Sequence, residues 1–463
     1  MRYIIIFITI IAFISCKSYS DLPTSDRETD WTIQRIPYEP KGKKGSPEEG
    51  IRYLTEGSYG SGIPYDFAKM GLRKTKDTIF NRSGINGTLP YMLNVSEAFN
   101  GAKVLSNNCF TCHASKIGDQ VIVGLGDSFS DFRRSPTTML KIMEMGLKMK
   151  YKKDDPAMQA YTNFGKSLRV IGPKATTNNF GVNPAFRIAE ACANNRALES
   201  WEYRDTQHTE LIDYAIASDV PPLWNVKKKN ALYYNGLGRG DFTKLLMLAA
   251  FPGVSDSTEA RLVNNNYHHV LAWLENLEPP KYPKVINSSR AAQGQIIFEK
   301  NCSKCHGTYG ENEFYPNKLV SVDVVKTDPH YARYVSDSKL VKLYNKSWFA
   351  LSYPTSYFVG NDGYMAPPLD GVWATAPYLH NGSVPDLETL LDSKKRPTYW
   401  NRSGDSNDYN YQKVGWNYTV KNKPKGKRTY DTTLSGYSNQ GHYFGDDLTD
   451  NERGQLIEYL KTL

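Results

Sequence analysis

The sequence predicts a mainly α fold made of two units of similar design, each with large loop insertions. Three observations lead to this prediction. The pattern Cys-x-x-Cys-His occurs twice in 463 residues, at 109–113 and 302–306. Each half of the chain ends on an apolar pattern with helical spacing, 271–277 and 457–463. A proline-rich stretch, 278–289, separates the halves and is typical of a linker.

The N-terminal residues predict export. Arg2 precedes the apolar run 4–14, which is followed by Ser15 and Cys16. A charged start, a short apolar stretch and a small residue at the cleavage point are typical of a signal peptide. The run is too short to span a bilayer. We expect residues 1–15 to be the signal peptide and Cys16 to be lipidated, as at a bacterial lipoprotein cleavage site. The alternative is a plain secretory signal with an unmodified or discarded Cys16.

Lipidation of Cys16 would place the protein in a bacterial envelope, as a periplasmic or cell-surface lipoprotein held to a membrane by its lipid. The polar residues that follow Cys16 predict a tether, and the whole of 16–94 is interpreted as lipidated tether and unassigned N-terminal segment. The net charge of +9 is spread along the chain. It forms no basic block of the kind that binds nucleic acid, so nucleic acid is excluded as a partner.

Four of the six cysteines, Cys109, Cys112, Cys302 and Cys305, lie in the two Cys-x-x-Cys-His motifs. This pattern is the attachment signature of c-type haem. Two thiols three residues apart form thioethers with the haem vinyl groups, and the adjacent histidine ligates the iron. Zinc would need four ligands, and nothing nearby completes either set. We therefore expect two covalently bound haem c groups, with His113 and His306 as proximal ligands, and we interpret Cys192 as a buried small residue.

The segments before the motifs are also alike. Gly101 and Gly294 each lie eight residues before the first cysteine of a motif, in apolar surroundings that predict a helix leading into the haem turn. A glycine on the first helix lets a last helix with a bulky aromatic residue, Trp273 or Tyr459, cross it closely. Thr449 and the glutamate three residues on predict a capping box for the second of these last helices.

This arrangement resembles the small helical cytochrome c fold in both halves. It predicts a first domain over 95–280, with haem 1, and a second over 285–463, with haem 2. The stretches 218–236, 364–391 and 438–463 resemble the di-haem cytochrome c peroxidase and MauG superfamily, and most closely its branch of rubber oxygenase-type proteins. The resemblance implies two haems with unequal tasks: one is open to peroxide or dioxygen, and the other is six-coordinate and passes electrons.

The distal ligand of haem 2 is predicted to be His442. In the small cytochrome fold this ligand comes from the loop before the C-terminal helix, and that loop here ends in "NQGH". The family motif also carries an axial histidine. Met365 and His380 are the competing candidates. For His380 we favour a hydrogen bond to backbone or to a haem propionate.

No such ligand is found in the first half. If the last helices of the two halves are aligned, the position equivalent to His442 is Asp256. If the two motifs are aligned instead, it is Ala249. The stretch 249–256, "AAFPGVSD", contains no His, Met or Lys. A methionine among Met139, Met143, Met145 and Met149 could ligate the iron of haem 1, but their helical spacing favours core packing. We expect His268 and His269 to be structural. We expect His208 to be exposed, unless an insertion loop carries it to haem 1.

Two functions remain open from the sequence. The first is a haem peroxidase or oxygenase, in which haem 1 at His113 activates peroxide or dioxygen and haem 2 relays electrons from a donor protein or small redox molecule. The second is an electron-transfer cytochrome with two six-coordinate haems. The resemblance and the missing ligand favour the enzyme.

Overall fold

The computed structural model describes residues 32–73, 75–426 and 428–463. The predicted signal peptide, 1–15, and the predicted lipidation at Cys16 lie outside these residues. The described part contains fifteen α-helical segments, most of them short: α1 Pro47–Glu56, α2 Tyr65–Ala68, α3 Thr137–Lys150, α4 Pro156–Ile171, α5 Ala185–Asn194, α6 Phe242–Met247, α7 Ser257–Glu275, α8 Ser288–Asn301, α9 Ser303–His306, α10 Val322–Val325, α11 His330–Asp337, α12 Lys339–Asn345, α13 Trp348–Leu351, α14 Leu387–Leu390 and α15 Asp450–Leu460.

Short strands connect the helices in small sheets. They are β1 Ile33–Arg35, β2 Ile63–Pro64, β3 Leu93–Glu97, β4 Lys103–Asn107, β5 Ala114–Ile117, β6 Gln120–Val123, β7 Gly238–Gly240, β8 Lys318–Ser321, β9 Ser356–Phe358, β10 Gly363–Met365, β11 Tyr399–Asn401, β12 Tyr409–Asn410, β13 Gly415–Trp416, β14 Thr419–Lys421 and β15 Thr429–Asp431. The three-stranded sheets have the orders β1-β8-β10, β14-β11-β15 and β2-β4-β3. The fold is therefore mixed, and the expectation of a mainly α protein is only partly met.

The second half has the predicted crossing of helices. α8 packs on α15, and Gly294 lies at the crossing, where an added Cβ would be 2.0 Å from the backbone oxygen of Gln455 and 2.9 Å from Cβ of Tyr459. The predicted capping box also forms: the Thr449 hydroxyl accepts from the backbone N–H of Glu452, whose carboxylate accepts from the backbone N–H of Thr449. Only glycine permits so close an approach of two helix backbones.

The first half has the same crossing, but not where the sequence predicted it. The helix that crosses α7 is α1, and Gly50 lies at the contact, where an added Cβ would be 2.1 Å from the His269 oxygen and 2.9 Å from Cβ of Trp273. Gly101 has no neighbour within 4 Å of an added Cβ, so its predicted role is wrong.

The predicted helix before the first motif is also wrong, because residues 103–107 form β4. This strand pairs antiparallel with β3, from Leu93 opposite Asn107 to Glu97 opposite Lys103. Gly101 has φ +81°, a left-handed conformation that ends a turn between the two strands. Val104 and Leu105 are buried within this sheet. The insertion between α1 and the motif thus replaces the direct helix-to-motif connection of the second half.

The largest apolar core contains buried residues from both halves of the chain. Residues of the first half, from Leu54 to Leu274, pack there with residues 322–364 of the second. A second core lies around α8 and α15 and includes Ile117, Ile122 and Leu125 of the first half. The division into domains 95–280 and 285–463 stays a prediction. None of the helices within the described residues is both long and apolar enough to cross a bilayer.

Candidate functional site

The second motif forms a helical turn at the end of α8. Cys302 ends α8, and α9 carries the rest of the motif, with the His306 backbone N–H donating to the Cys302 carbonyl at 3.0 Å. Nδ1 of His306 lies 2.8 Å from the Pro367 carbonyl oxygen. This hydrogen bond fixes the ring with Nδ1 protonated and leaves Nε2 as the free metal-binding atom. Burial lowers the pKa of His306, which favours the neutral imidazole that ligates metals.

The His442 ring faces the His306 ring across a gap. The ring centres are 6.2 Å apart, with the planes inclined by 59°. Two metal–nitrogen bonds of about 2 Å each, with roughly 1 Å from each nitrogen to its ring centre, require about 6 Å. Burial, and then the nearby His306 and Arg396, lower the pKa of His442 to about 3. The two neutral imidazoles are therefore spaced to hold one metal ion between them.

The loop that presents His442 is held by the half-buried side chain of Arg396. Nη1 of Arg396 donates to the carbonyl oxygens of Asn439 and Gly441, both at 2.7 Å, and Nη2 donates to that of His442 at 3.3 Å. The His442 N–H donates to the Val325 carbonyl at 2.7 Å. His442 has φ +52°, a left-handed conformation that a non-glycine residue adopts only at a cost. These bonds maintain that conformation.

The space between the rings belongs to a cavity of about 440 Å³. Cys302, Cys305, His306 and His442 line it together with mostly apolar residues. Both cysteines are free thiols that are only partly covered. Nδ1 of His442 is buried and has no hydrogen-bond partner in the described residues. Thiols, facing imidazoles and an apolar cavity fit the donor set and shape that a c-type haem requires.

The two competing ligands occupy other positions in this cavity. His380 is buried, and its Nε2 lies 3.2 Å from the Tyr364 hydroxyl, with the rings stacked at 4.2 Å. We predicted that His380 would form a hydrogen bond with backbone or with a haem propionate, whereas the partner in the structure is the Tyr364 hydroxyl. Met365 lies on β10 and packs against Ile36, Ala231 and Leu319.

The first motif forms a 3-10 turn, Cys109–Thr111, after β4. The His113 N–H donates to the Cys109 carbonyl at 2.9 Å, as in the second motif. The Cys112 sulfur accepts from the Asn183 side-chain amide at 3.3 Å. Burial lowers the pKa of His113 to about 4, and the adjacent Pro221 carbonyl opposes this shift. His113 is thus neutral and beside a proline carbonyl, as His306 is.

A repeat that the sequence analysis missed connects these two prolines. Pro-Pro-Leu occurs at 221–223 and 367–369, and Asn-Gly follows at the same distance in both copies, 235–236 and 381–382. The first proline of each copy lies beside the histidine of its motif. Comparing the chain with itself at this offset would have found the repeat and predicted a shared proximal loop.

The loop that precedes α7 corresponds to the loop of His442 but contains no His, Met or Lys. Phe251 and Val254 of this loop are buried in the large core. Arg196 donates to the carbonyl oxygens of Phe251 and Ser255 at 3.4 and 3.0 Å, much as Arg396 holds its own loop. The two loops share this support, and only the second supplies an imidazole.

The other candidates for that position are engaged elsewhere or exposed. The half-buried His208 has Nε2 2.7 Å from the Arg196 carbonyl oxygen, so the prediction of an exposed side chain is wrong. His268 and His269 lie in α7, where Nδ1 of His269 accepts from the Ser46 N–H.

The methionines of α3 are the remaining candidates. Met139, Met145 and Met149 are 60–83% exposed, so the prediction of core packing is wrong for these three. Cys192 is buried and free, as predicted. In the described part of the chain, no three or more His, Cys, Asp or Glu side chains are grouped to bind a metal ion, so zinc gains no support.

Comparison with known proteins is consistent with this site. Residues 363–401, which include Met365, Pro367 and His380, match the family model described as RoxA-like, cytochrome c-like. The uncharacterized protein y4iM of Sinorhizobium fredii (strain NBRC 101917 / NGR234) is 27% identical over 313 residues, 58% of this chain and 69% of that protein. The uncharacterized protein y4iJ of the same strain is 29% identical over 255 residues, 40% of this chain and 41% of that protein.

Among solved structures, this chain is similar to a MauG-like protein associated with microbial copper homeostasis. The likeness covers 63% of this chain and 91% of that one, at 13% identity and a TM-score of 0.28, too low to establish a shared fold. The family match, over residues 363–401, confirms the predicted resemblance to the rubber oxygenase-like branch. It supports a haem c-containing oxidoreductase in general terms.

Proposed function

We propose that this relative of the RoxA-like cytochromes is an exported di-haem oxidoreductase. In this proposal peroxide or dioxygen reacts at the first site, defined by Cys109, Cys112 and His113, and the second site, defined by Cys302, Cys305, His306 and His442, relays electrons. The supporting observation is the inequality of the two sites. The His306 and His442 rings face each other at 6.2 Å, whereas the corresponding loop of the first half contains no His, Met or Lys.

The residues present would hold one haem c at each site, through two thioethers and one proximal imidazole. When bound, such a group supplies one-electron redox chemistry, and an iron with a free face also binds small oxidants. The role of this chain at the first site is to fix His113 beside Pro221, to hold Cys112 through Asn183, and to bring no sixth ligand from the loop before α7. At the second site it supplies imidazoles on both sides.

Contact between the two proximal loops supports electron transfer within one molecule. The Trp224 indole N–H donates to the Asp370 carbonyl at 2.8 Å, and the Asn225 side-chain amide donates to the Pro368 carbonyl at 3.0 Å. Trp224 and Asn225 directly follow Pro-Pro-Leu of the first site, and the acceptors lie in or just after Pro-Pro-Leu of the second. The repeated loops are thereby joined into one hydrogen-bonded unit between the motifs.

The remaining parts of the proposal concern location and partners. We propose that Cys16 carries a lipid that holds the protein to a membrane of a bacterial envelope, and that a donor protein or small redox molecule delivers electrons to the second site. The sequence identity between this chain and the two relatives is below 30%, and the match to one of them spans only 41% of its length.

Carbon monoxide binding tests the inequality of the sites. The reduced protein should bind one carbon monoxide per chain, and His442→Ala should raise this to two. The ferric protein should show high-spin and low-spin components together. Turnover of peroxide with an artificial donor should be lost in His113→Ala while the low-spin component is retained. A wild-type protein that is wholly low-spin and binds no carbon monoxide would instead support the electron-transfer cytochrome with two six-coordinate haems.

A further inference from the structure

Lys229 is a buried cation without a partner. The residue lies just after the 3-10 helix Leu223–Lys227 and is only 7% exposed. Other buried lysines are satisfied: Lys41 donates to the carbonyls of Val226 and Lys227, and Lys244 to three carbonyls and a hydroxyl around 349–354. No residue in the described part of the chain accepts a hydrogen bond from Nζ of Lys229. Burial lowers its pKa to about 8, and no anion opposes the shift.

Lys229 lines the cavity of the second site, together with Cys302, Cys305, His306 and His442. Two carboxylates line the same cavity, and neither pairs with it. Asp370 forms an ion pair with Lys228 at 2.6 Å. Asp219 hydrogen-bonds with Tyr234, and burial raises the pKa of its carboxyl to about 8, a shift that the nearby Arg402 opposes.

A buried ammonium without a counter-charge is strongly unfavourable. An anion bound in the cavity would therefore stabilise the charged form of Lys229, which lines it. The porphyrin of a c-type haem carries two carboxylates, and the thioethers to Cys302 and Cys305 would fix it in this cavity.

We propose that Lys229 forms an ion pair with a porphyrin carboxylate of the haem attached at Cys302 and Cys305, and that this pair raises the reduction potential of that haem. The inference rests on the proposed function, because it requires a haem at the second site. A fixed positive charge close to the porphyrin disfavours the ferric iron relative to the ferrous iron, since oxidation adds a positive charge. Lys229 would act as a positioning and tuning residue, and it would make no bond to the iron.

The test is a spectroelectrochemical titration of the holoprotein, following the low-spin haem. Lys229→Met should lower the equilibrium constant for reduction by about tenfold, equivalent to about 59 mV for a one-electron couple. Lys229→Arg keeps the charge and should keep the potential near that of the wild type. Lys300→Met removes the same charge from an exposed position on α8 and should change the constant less than twofold, because water screens it.

Intact mass separates failure of this inference from failure of the proposed function. If the wild type carries no haem at Cys302 and Cys305, the proposed function fails. If all variants carry both haems and Lys229→Met has the wild-type potential, the ion pair is refuted. Equal effects of Lys229→Met and Lys229→Arg would show that packing matters rather than charge. Should Lys229→Met lose the second haem while Lys229→Arg retains it, the requirement for the charge is supported.

A second source of the carboxylate must also be tested. Acetate added at constant ionic strength should leave the wild-type potential unchanged if the porphyrin supplies the carboxylate. A potential that falls with rising acetate in the wild type, but not in Lys229→Met, would mean that Lys229 binds a free anion, and the proposal would be wrong.

Discussion

Replacement of Gly50 tests whether α1 belongs to the proposed first haem site. An added Cβ would lie 2.1 Å from the His269 carbonyl oxygen and 2.6 Å from its carbon, whereas ordinary contacts begin at 3.4 Å. Because packed interiors compress little, α1 and α7 must separate by roughly 1 Å. Overpacking of this kind costs about 1–3 kcal/mol, and the better helix propensity of alanine returns up to about 1 kcal/mol.

The expected consequence of Gly50→Ala is local. α1 carries Tyr53, whose ring lies 6.0 Å from that of Tyr267 on α7. Burial, and then the nearby Cys109, raise the pKa of both tyrosines. Separation of these helices should therefore alter the spectrum of the first haem. The assays are electron paramagnetic resonance, for the two haems separately, and thermal unfolding.

Gly294→Ala is the matched variant, because its added Cβ would lie 2.0 Å from the Gln455 oxygen at the equivalent crossing. It should alter the low-spin signal of the second haem and leave that of the first. Gly101→Ala has no clash and is strained only through its φ of +81°, so it should lower stability without a haem-specific change. If Gly50→Ala changes the second haem alone, or neither, α1 is not the counterpart of α8.

Three further predictions concern haem attachment, the distal loop and the membrane. Intact mass should show two covalent haems, and removal of the two thiols of either motif should leave one. Arg396→Met removes the three hydrogen bonds that the charged guanidinium donates to the His442 loop. Each such bond contributes about 1.5–3 kcal/mol. It should convert part of the second haem to a high-spin form, which magnetic circular dichroism detects. An unchanged spectrum would show that Arg396 does not hold the His442 loop. Cys16→Ala should shift the protein from the membrane to the soluble fraction, and unchanged partitioning would refute the anchor.

The architecture of the second half could be predicted because its signals are close together in the chain. Gly294 lies on α8, eight residues before Cys302, which follows the end of that helix, and His442 lies in the loop that leads into α15. The capping box is a four-residue pattern. Such features depend on local spacing, which a sequence displays directly.

The first half could not be predicted in the same way. The insertion after α1 moved the glycine of the crossing from Gly101, where the motif spacing placed it, to Gly50. Residues 103–107 form a strand because β3 and β2 are available to pair with them, and pairing partners are not visible in a short apolar run. Lys229 was missed for a related reason, since a lysine in a sequence shows neither its burial nor the absence of its partner.

Two arginines, the buried Arg196 and the half-buried Arg396, indicate where the difference between the sites is encoded. Arg196 and Arg396 each hold carbonyl groups of the loop that precedes the last helix of their half. The support of the two loops is therefore alike, while only the second loop carries an imidazole. The backbone carbonyl of His442 accepts a hydrogen bond from Arg396, whereas its side chain lines the cavity. His442→Ala removes the imidazole but leaves the backbone carbonyl groups that Arg396 binds. The resulting change in carbon monoxide binding therefore reports ligation of the iron rather than collapse of the loop.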